Sequence, residues 1–324
     1  MHTTVLLKES VEGLGLKPGK TVVDGTLGGG GHTELMCQSL GRKIKIIALD
    51  LDTDAIDRAK ERLSKLDCDI EYVESNFKDI DKALESKGVD KVDAILLDLG
   101  FSNDQLETGG RGISFRFDEP LQMTLKKKLD AHEFDASDIV NTWQEEDIAN
   151  VIYGYGEERF ARRIAREIVE ARESEPIKTT HALVKIIENA VPSFYKRGRI
   201  HPATKTFQAL RIAVNGELES LRIVLSKGFE HLRPGGRFAI ISFHSLEDRI
   251  VKNFMRDRDK EETGRILNKK PITPSDEEQK SNPIDIYANG VRLTNTKVYN
   301  DYSETAIANF NENYTSLVTK NVAS

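Results

Sequence analysis

The stretch Thr21–His32, TVVDGTLGGGGH, decides the fold. Val22 and Val23 are β-branched and lead into Asp24, four glycines run from Gly28 to Gly31, and a helical pattern follows in Glu34, Leu35 and Met36. That order reads as a buried strand, a tight turn and a helix start. Glycine has no Cβ, so its backbone takes positive φ and lies close against a ligand. The helix N-terminus behind it offers N–H groups with no partner inside the helix. The functional reading is a nucleotide-type cofactor site. For such a loop alone, an ordinary strand-to-helix turn is the alternative.

The neighbouring segments repeat the alternation. Val5–Leu16 is spaced as a helix, and Lys17-Pro-Gly-Lys punctuates before the first strand. Ile44–Leu49 reads as a second buried strand that ends in Asp50. In nucleoside-cofactor folds an acid at that strand tip, about 20 residues past the glycines, takes the ribose hydroxyls. Asp50 holds that place, whereas Asp52 or Thr53 suits the N-cap of the helix Ala55–Leu66. Ile70–Val73 is a third strand, and Phe77 after it serves either an adenine ring or the core. A helix over Ile80–Ser86 leads to a fourth strand, Val92–Leu97, and to Asp98. Strand–helix alternation specifies a parallel sheet covered on both faces, with ligands at the carboxyl ends of the strands. Gly28–His32, Asp50, Phe77 and Asp98 all fall at such ends.

From about residue 104 to 208 the pattern becomes helical, over Ala136–Tyr153, Glu157–Glu173 and Thr180–Val191, and reads as an insertion in the sheet domain. Arg159, Arg162, Arg163 and Arg166 form a basic helical face. Tyr195–Arg211 carries Lys196, Arg197, Arg199, Lys205 and Arg211 with no acid, interleaved with Tyr195, His201 and Phe207. That mixture suits phosphates and bases, although a charge run is commonly only a solvated face. A long helix over Thr206–Leu225, continuing to Leu232, returns to the sheet. A tight turn, Leu232-Arg-Pro-Gly-Gly-Arg, enters the strand Phe238–Ser242, with Phe243–Arg249 at its carboxyl end. Ile266–Thr273 and Gly290–Val298 read as weak edge strands. The division expected is therefore 1–103 and 209–300 for the core, 104–208 for the insertion, and 301–324 for a loosely held tail.

Composition narrows the class. A chain of 324 residues with 38% hydrophobic and 31% charged residues suits a soluble protein, and no apolar run spans a bilayer. The N-terminus has no signal-peptide core. Cys37 and Cys68 are the 2 cysteines, without CxxC, so neither a disulfide framework nor a zinc cluster is supported and a reducing cytoplasm is expected. The 7 histidines are dispersed, so no metal site is expected. The net charge of −6 does not itself indicate nucleic acid, yet a binding face needs only a basic patch.

Several motifs are longer than generic cofactor loops: DGTLGGGGH, LLDLG, YGEERFARRIAR, GRIHPATKTFQALRIAVN and SFHSLEDR. Through them the chain, over about residues 2–283, resembles the RsmH (MraW) family of small-subunit rRNA cytosine-N4 methyltransferases. The resemblance implies a class I S-adenosylmethionine-dependent methyltransferase sheet, an α/β Rossmann-like fold, with an inserted helical domain. It implies S-adenosyl-L-methionine as cofactor and 16S rRNA in the small ribosomal subunit as partner, with a decoding-region cytidine methylated at N4. Gly30, Gly31 and His32 would lie in the cofactor loop. Asp50 would hold the ribose, Phe77 would meet the adenine, and Asp98 and Gln105 would complete the pocket. The chain departs from the family pattern at Phe101, Asn103, Asp104, Gln122 and Thr124, and after Pro283.

The exocyclic amine of cytosine is a poor nucleophile because its lone pair is delocalised into the ring. Catalysis is then mostly positioning, with an acceptor for an N4 proton. Asp98 and His244 are the catalytic candidates, each with a structural alternative. Methylation at C5 needs a cysteine nucleophile, and neither Cys37 nor Cys68 falls at a strand end. Two other readings stay open: a catalytically silent RNA-binding or ribosome-assembly factor of the same fold, and a nicotinamide-dependent oxidoreductase. His32-Thr33 after the glycines excludes a Walker A site.

Overall fold

A computed structural model describes residues 4–99, 110–126, 129, 132–198, 200–268, 270–281 and 292–298. The expectations for Phe101, Asn103, Asp104, Gln105 and the tail after residue 300 lie outside them. The described strands are Thr21–Asp24 (β1), Lys45–Asp50 (β2), Asp69–Glu74 (β3), Val92–Asp98 (β4), Leu232–Ser242 (β5), Gly264–Ile266 (β6) and Arg292–Val298 (β7). They form one sheet in the order β3-β2-β1-β4-β5-β7-β6. From β3 to β5 all neighbours are parallel, and β7 runs antiparallel to both β5 and β6.

The helices Leu7–Leu14 (α1), Gly31–Leu40 (α2), Thr53–Leu63 (α3) and Ile80–Ser86 (α4) alternate with the first strands. Alternate strand residues face opposite sides. Val22, Ile46, Ala94 and Leu96 pack with Leu14, Met36 and Ile56 on one face. Val23, Ile47, Ile95 and Leu97 pack with Ile80, Leu84 and Phe229 on the other. Covered on both sides, these strands are continuous apolar runs, which is why they are legible without alternation.

Between β4 and β5 lie Ala136–Thr142 (α5), Glu145–Gly156 (α6), Ala161–Ser174 (α7), Thr180–Ala190 (α8), Ser193–Lys196 (α9), Thr204–Asn215 (α10) and Glu217–Glu230 (α11). Leu121 and Met123 with α5 to α10 enclose a hydrophobic core of their own, including Ile139, Ile152, Ile164, Leu183 and Phe207. Ser245–Lys260 (α12) follows β5, and Asp276–Ser281 (α13) precedes β7. No helix among the described residues is long and apolar enough to cross a membrane.

Five expectations about the backbone path and the cysteines are corrected. The helix expected over Ala136–Tyr153 breaks at Trp143, whose extended backbone (ψ 159°) caps α5. The long helix from Thr206 breaks at Gly216, which takes φ +56° and turns α10 into α11. The Leu232–Arg237 turn is part of β5: Val92 pairs with Leu232 and Ala94 with Arg237, so Arg233–Gly236 bulge from the ladder. That bulge brings Arg233 to 2.8 Å from Asp93, which also accepts from Lys20 at 2.7 Å. The segment ending at Val298 is not an edge strand, since β7 lies between β5 and β6. The fifth correction concerns the cysteines, for which no disulfide was expected. Cys37 of α2 and Cys68 ahead of β3 pack on one core and are disulfide-bonded, with Cα atoms 5.7 Å apart.

Phe207, expected to interleave with basic groups on a binding surface, is instead 1% exposed and meets Phe115 edge-on at 5.0 Å between centroids. Phe207→Ala is expected to cost about 3–5 kcal/mol of stability, read from urea unfolding. A cost below about 1 kcal/mol would contradict this packing.

Candidate active site

The glycine loop is held by its neighbours' backbones. Gly25 N–H donates to Leu96 O at 2.9 Å, and Leu27 N–H to Leu49 O at 2.9 Å. The loop is therefore stitched to both flanking strands. Asp24, 1% exposed, accepts from Thr33 Oγ1 at 2.7 Å and from Thr26 N–H at 3.3 Å. It joins the end of β1 to the first turn of α2, a role the sequence reading did not identify. Burial pushes its carboxyl up to about 6, against the lowering effect of the Thr33 and Thr26 hydrogen bonds.

The glycines divide by what faces them. A Cβ on Gly31 would collide with Thr4 Oγ1 of the N-terminal segment. One on Gly30, at φ +77°, would come within 3.3 Å of Ala59 on α3. These two are needed for packing and turn geometry. Gly28, at φ +50°, meets nothing nearer than Thr26 O at 4.0 Å, and Gly29 nothing nearer than Arg62 at 3.9 Å. Gly28 and Gly29 are thus the open part of the cradle, the place where a ligand can lie against bare backbone.

Asp50, at the end of β2, accepts from Gly28 N–H and from Asp52 N–H, both at 2.8 Å. Burial raises its carboxyl above the ordinary value, and these N–H groups pull it back down. Two N–H bonds leave lone pairs on both oxygens, so the carboxylate can still accept from a ribose diol. Asp52 caps α3 through Asp54 N–H at 3.0 Å. Phe77 follows β3 in a short 3-10 turn, half-buried, with its Cβ 3.6 Å from the point a Gly25 Cβ would occupy. Its ring also packs on the apolar cluster behind the sheet, so the core role is real whatever else it does.

Asp98 closes the same rim from β4. Its N–H donates to Thr26 Oγ1 at 2.6 Å, and its carboxylate lies 3.8 Å from His32 Nδ1. The carboxylate is 19% exposed while His32 is 4% exposed. Gly28–His32, Asp50, Phe77 and Asp98 are therefore brought together at the carboxyl ends of the strands.

His244 is on that rim but turned inward. It is 7% exposed and is the N-cap of α12, its Nδ1 accepting from Glu247 N–H at 3.5 Å. Glu247 answers by accepting from Phe243 N–H at 2.8 Å. The Nε2 of His244 lies 3.3 Å from Glu247 Oε1. His244, Glu217 and Glu247 each place a ligand-type atom within 4.8 Å of the others, a cluster the sequence spacing did not reveal. Glu217 is held by Arg211 in a two-point ion pair at 2.8 and 2.9 Å, so a guanidinium already supplies positive charge there. Outside this cluster, Glu157 accepts from Ser245 Oγ at 2.7 Å and from Arg249 at 2.9 Å. That contact ties the end of α6 to the start of α12.

The MraW methylase family model matches residues 1–290 of this chain. The chain is 47% identical over 283 residues to the ribosomal RNA small subunit methyltransferase H of Deinococcus deserti, covering 87% of this chain and 89% of that protein. It is 42% identical to the protein of the same name from Brevibacillus brevis, covering 87% and 93%. The one from Kosmotoga olearia is 46% identical, covering 87% and 93%.

The buried Asp24 makes stability depend on pH. With its folded value at about 6 against 3.8 unfolded, the folded chain keeps this proton after the unfolded chain has released it. The contribution is fully present below about pH 4 and is lost as pH rises through about 6, to the extent of roughly 3 kcal/mol. Asp24→Asn is expected to gain on the wild type in unfolding free energy across that window and to level off above it. A difference independent of pH would refute the assignment.

Proposed function

This chain belongs to the MraW methylase family, and from that we propose that it transfers a methyl group from S-adenosylmethionine to the N4 of a cytidine in the decoding region of 16S rRNA, within the small ribosomal subunit. The observation that carries the reading is the open Gly28–Gly29 cradle between Asp50 and the rim carboxylate Asp98. A nicotinamide reaction has no support beside the methylase family match. We place the protein in the cytoplasm, with the ribosomal RNA it would modify.

The proposed roles draw on the geometry and on the family resemblance. Gly28–His32 give the cofactor a bare backbone and a helix N-terminus. Asp50 takes the ribose hydroxyls and Phe77 meets the adenine. Gln105, outside the described residues, is assigned to the same pocket on the family resemblance alone. The bound cofactor supplies a methyl group on a sulfonium, already activated for transfer. What remains for the protein is to orient the cytosine amine and take its proton. Asp98, part-exposed and 3.8 Å from His32, is the carboxylate placed to accept that proton. His244, packed against Glu247 and Glu217, contributes by holding the rim and not by touching the base. Residues from about 104 to 208 act as the substrate-recognition domain.

The test is methyl transfer from labelled S-adenosylmethionine to small subunits lacking the modification, followed by nucleoside mass spectrometry. N4-methylcytidine is expected. Label at C5, or no label with cofactor binding intact, would overturn the reading, the latter in favour of a silent binding factor. Asp98→Asn is expected to lower kcat by about 100-fold or more, and a change within threefold would remove Asp98 from proton transfer. Gly29→Val is expected to weaken S-adenosylhomocysteine at least about tenfold while the melting temperature stays near wild type. Equal affinity would show that the cofactor does not lie on Gly29.

A further inference from the structure

An aromatic and arginine cluster on the helical segment has no part in the site described above. Phe160, Phe194 and Tyr195 come together around Arg159. The Arg159 guanidinium lies 4.8 Å from the Phe160 centroid, 5.6 Å from Phe194 and 4.9 Å from Tyr195. Phe160 meets Tyr195 edge-on at 5.0 Å and Phe194 at 6.5 Å. The inner end of the cluster is anchored. Tyr195 donates its hydroxyl hydrogen to Glu158 at 2.5 Å, and Glu158, itself fully buried, accepts from Phe160 N–H at 2.8 Å. The outer end is open, with Phe194 60% exposed.

We propose that Phe194 and Arg159 form a stacking platform for an unpaired RNA base that flanks the methylated nucleotide. Three observations support this occupant. A fixed aromatic face beside a planar guanidinium is the surface on which bases stack without regard to sequence. Arg162 and Arg163, exposed on the first turn of α7, have no carboxylate partner among the described residues and offer contacts to phosphates. The platform is also joined to the rim, because Glu157, next to Glu158 in the chain, accepts from Ser245 and Arg249 where α12 leaves the site. Only an unpaired base can present its face to a ring, so the ligand is single-stranded RNA and not a helix.

The inference rests on the proposed RNA substrate, and the two fail separately. The experiment measures KM and kcat for small subunits, together with the affinity of the full chain for a short fluorescent oligoribonucleotide at several salt concentrations. Phe194→Ala is expected to raise KM and the oligonucleotide Kd by about 5- to 150-fold, the range of one lost stack. Its kcat, its affinity for S-adenosylhomocysteine and the slope of log affinity on log salt are expected to stay as in the wild type. Phe194→Trp is expected to restore binding and Phe194→Leu is not. Arg162→Ala and Arg163→Ala are each expected to reduce the salt slope by about one. A wild-type protein that labels small subunits while Phe194→Ala binds within twofold would overturn the platform alone. Rescue by Phe194→Leu equal to that by tryptophan would also overturn it, since that marks an apolar protein contact. A wild-type protein that neither labels small subunits nor binds the oligonucleotide would overturn the functional reading beneath it.

Discussion

The Asp50 carboxylate is the interaction on which the site depends. One oxygen accepts from Gly28 N–H and the other from Asp52 N–H, both at 2.8 Å. Through these bonds the tip of β2 sets the height of the glycine loop and the start of α3 together. Hydrogen bonds to a charged acceptor are worth roughly 1.5–3 kcal/mol each, enough to fix the orientation of this carboxylate. Asp24 performs the corresponding task from β1, reaching Thr26 and Thr33. The two acids lie at adjacent strand ends, and the loop between them has little freedom left. That rigidity is what lets Gly28 and Gly29 present bare backbone without collapsing onto the sheet.

The second organising feature joins the helical segment to the catalytic rim. Arg211 of α10 holds Glu217 of α11, and Glu217 borders the His244–Glu247 capping box that starts α12. Glu157, held at φ +49° at the end of α6, reaches the same helix through Ser245 and Arg249. A buried and an exposed link thus converge on the few residues that follow β5. The exposed link alone is worth little in water, whereas the Arg211–Glu217 pair is two-pronged and shielded. The inserted helices and the rim are consequently tied together at this point.

Much of this was legible in the sequence, and the residues show why. β1, β2 and β4 are compact apolar runs, and each ends in an acid that the fold uses. Asp52 or Thr53 reads as a cap because a short polar side chain before a helical pattern has that local use, and the structure gives the place to Asp52. The failures involve information that is not local. Trp143 and Gly216 break helices whose apolar spacing continues across the break, because the tertiary path demands a turn there. Phe207 looked like a surface aromatic among cations, yet its face is covered by Phe115 and the surrounding helices. His244 sits in a polar motif at a strand end, a position that suits catalysis, and its proximity to Glu217 of a distant segment is not legible there. Cys37 and Cys68 are 31 residues apart and meet only because β2 and β3 are neighbours. Phe194 carried no periodic signal, and only the packing of Arg159 against three rings marks it.

The most direct measurement is calorimetric titration of the full chain with S-adenosylhomocysteine and with NAD, repeated on Asp50→Asn. If Asp50 both sets the loop and holds the ribose, the wild type binds S-adenosylhomocysteine and not NAD. Asp50→Asn then loses affinity by about 10- to 100-fold while still unfolding cooperatively. Affinity within threefold of wild type in a folded Asp50→Asn would contradict the place given to this carboxylate. NAD binding in preference to S-adenosylhomocysteine would contradict the cofactor itself.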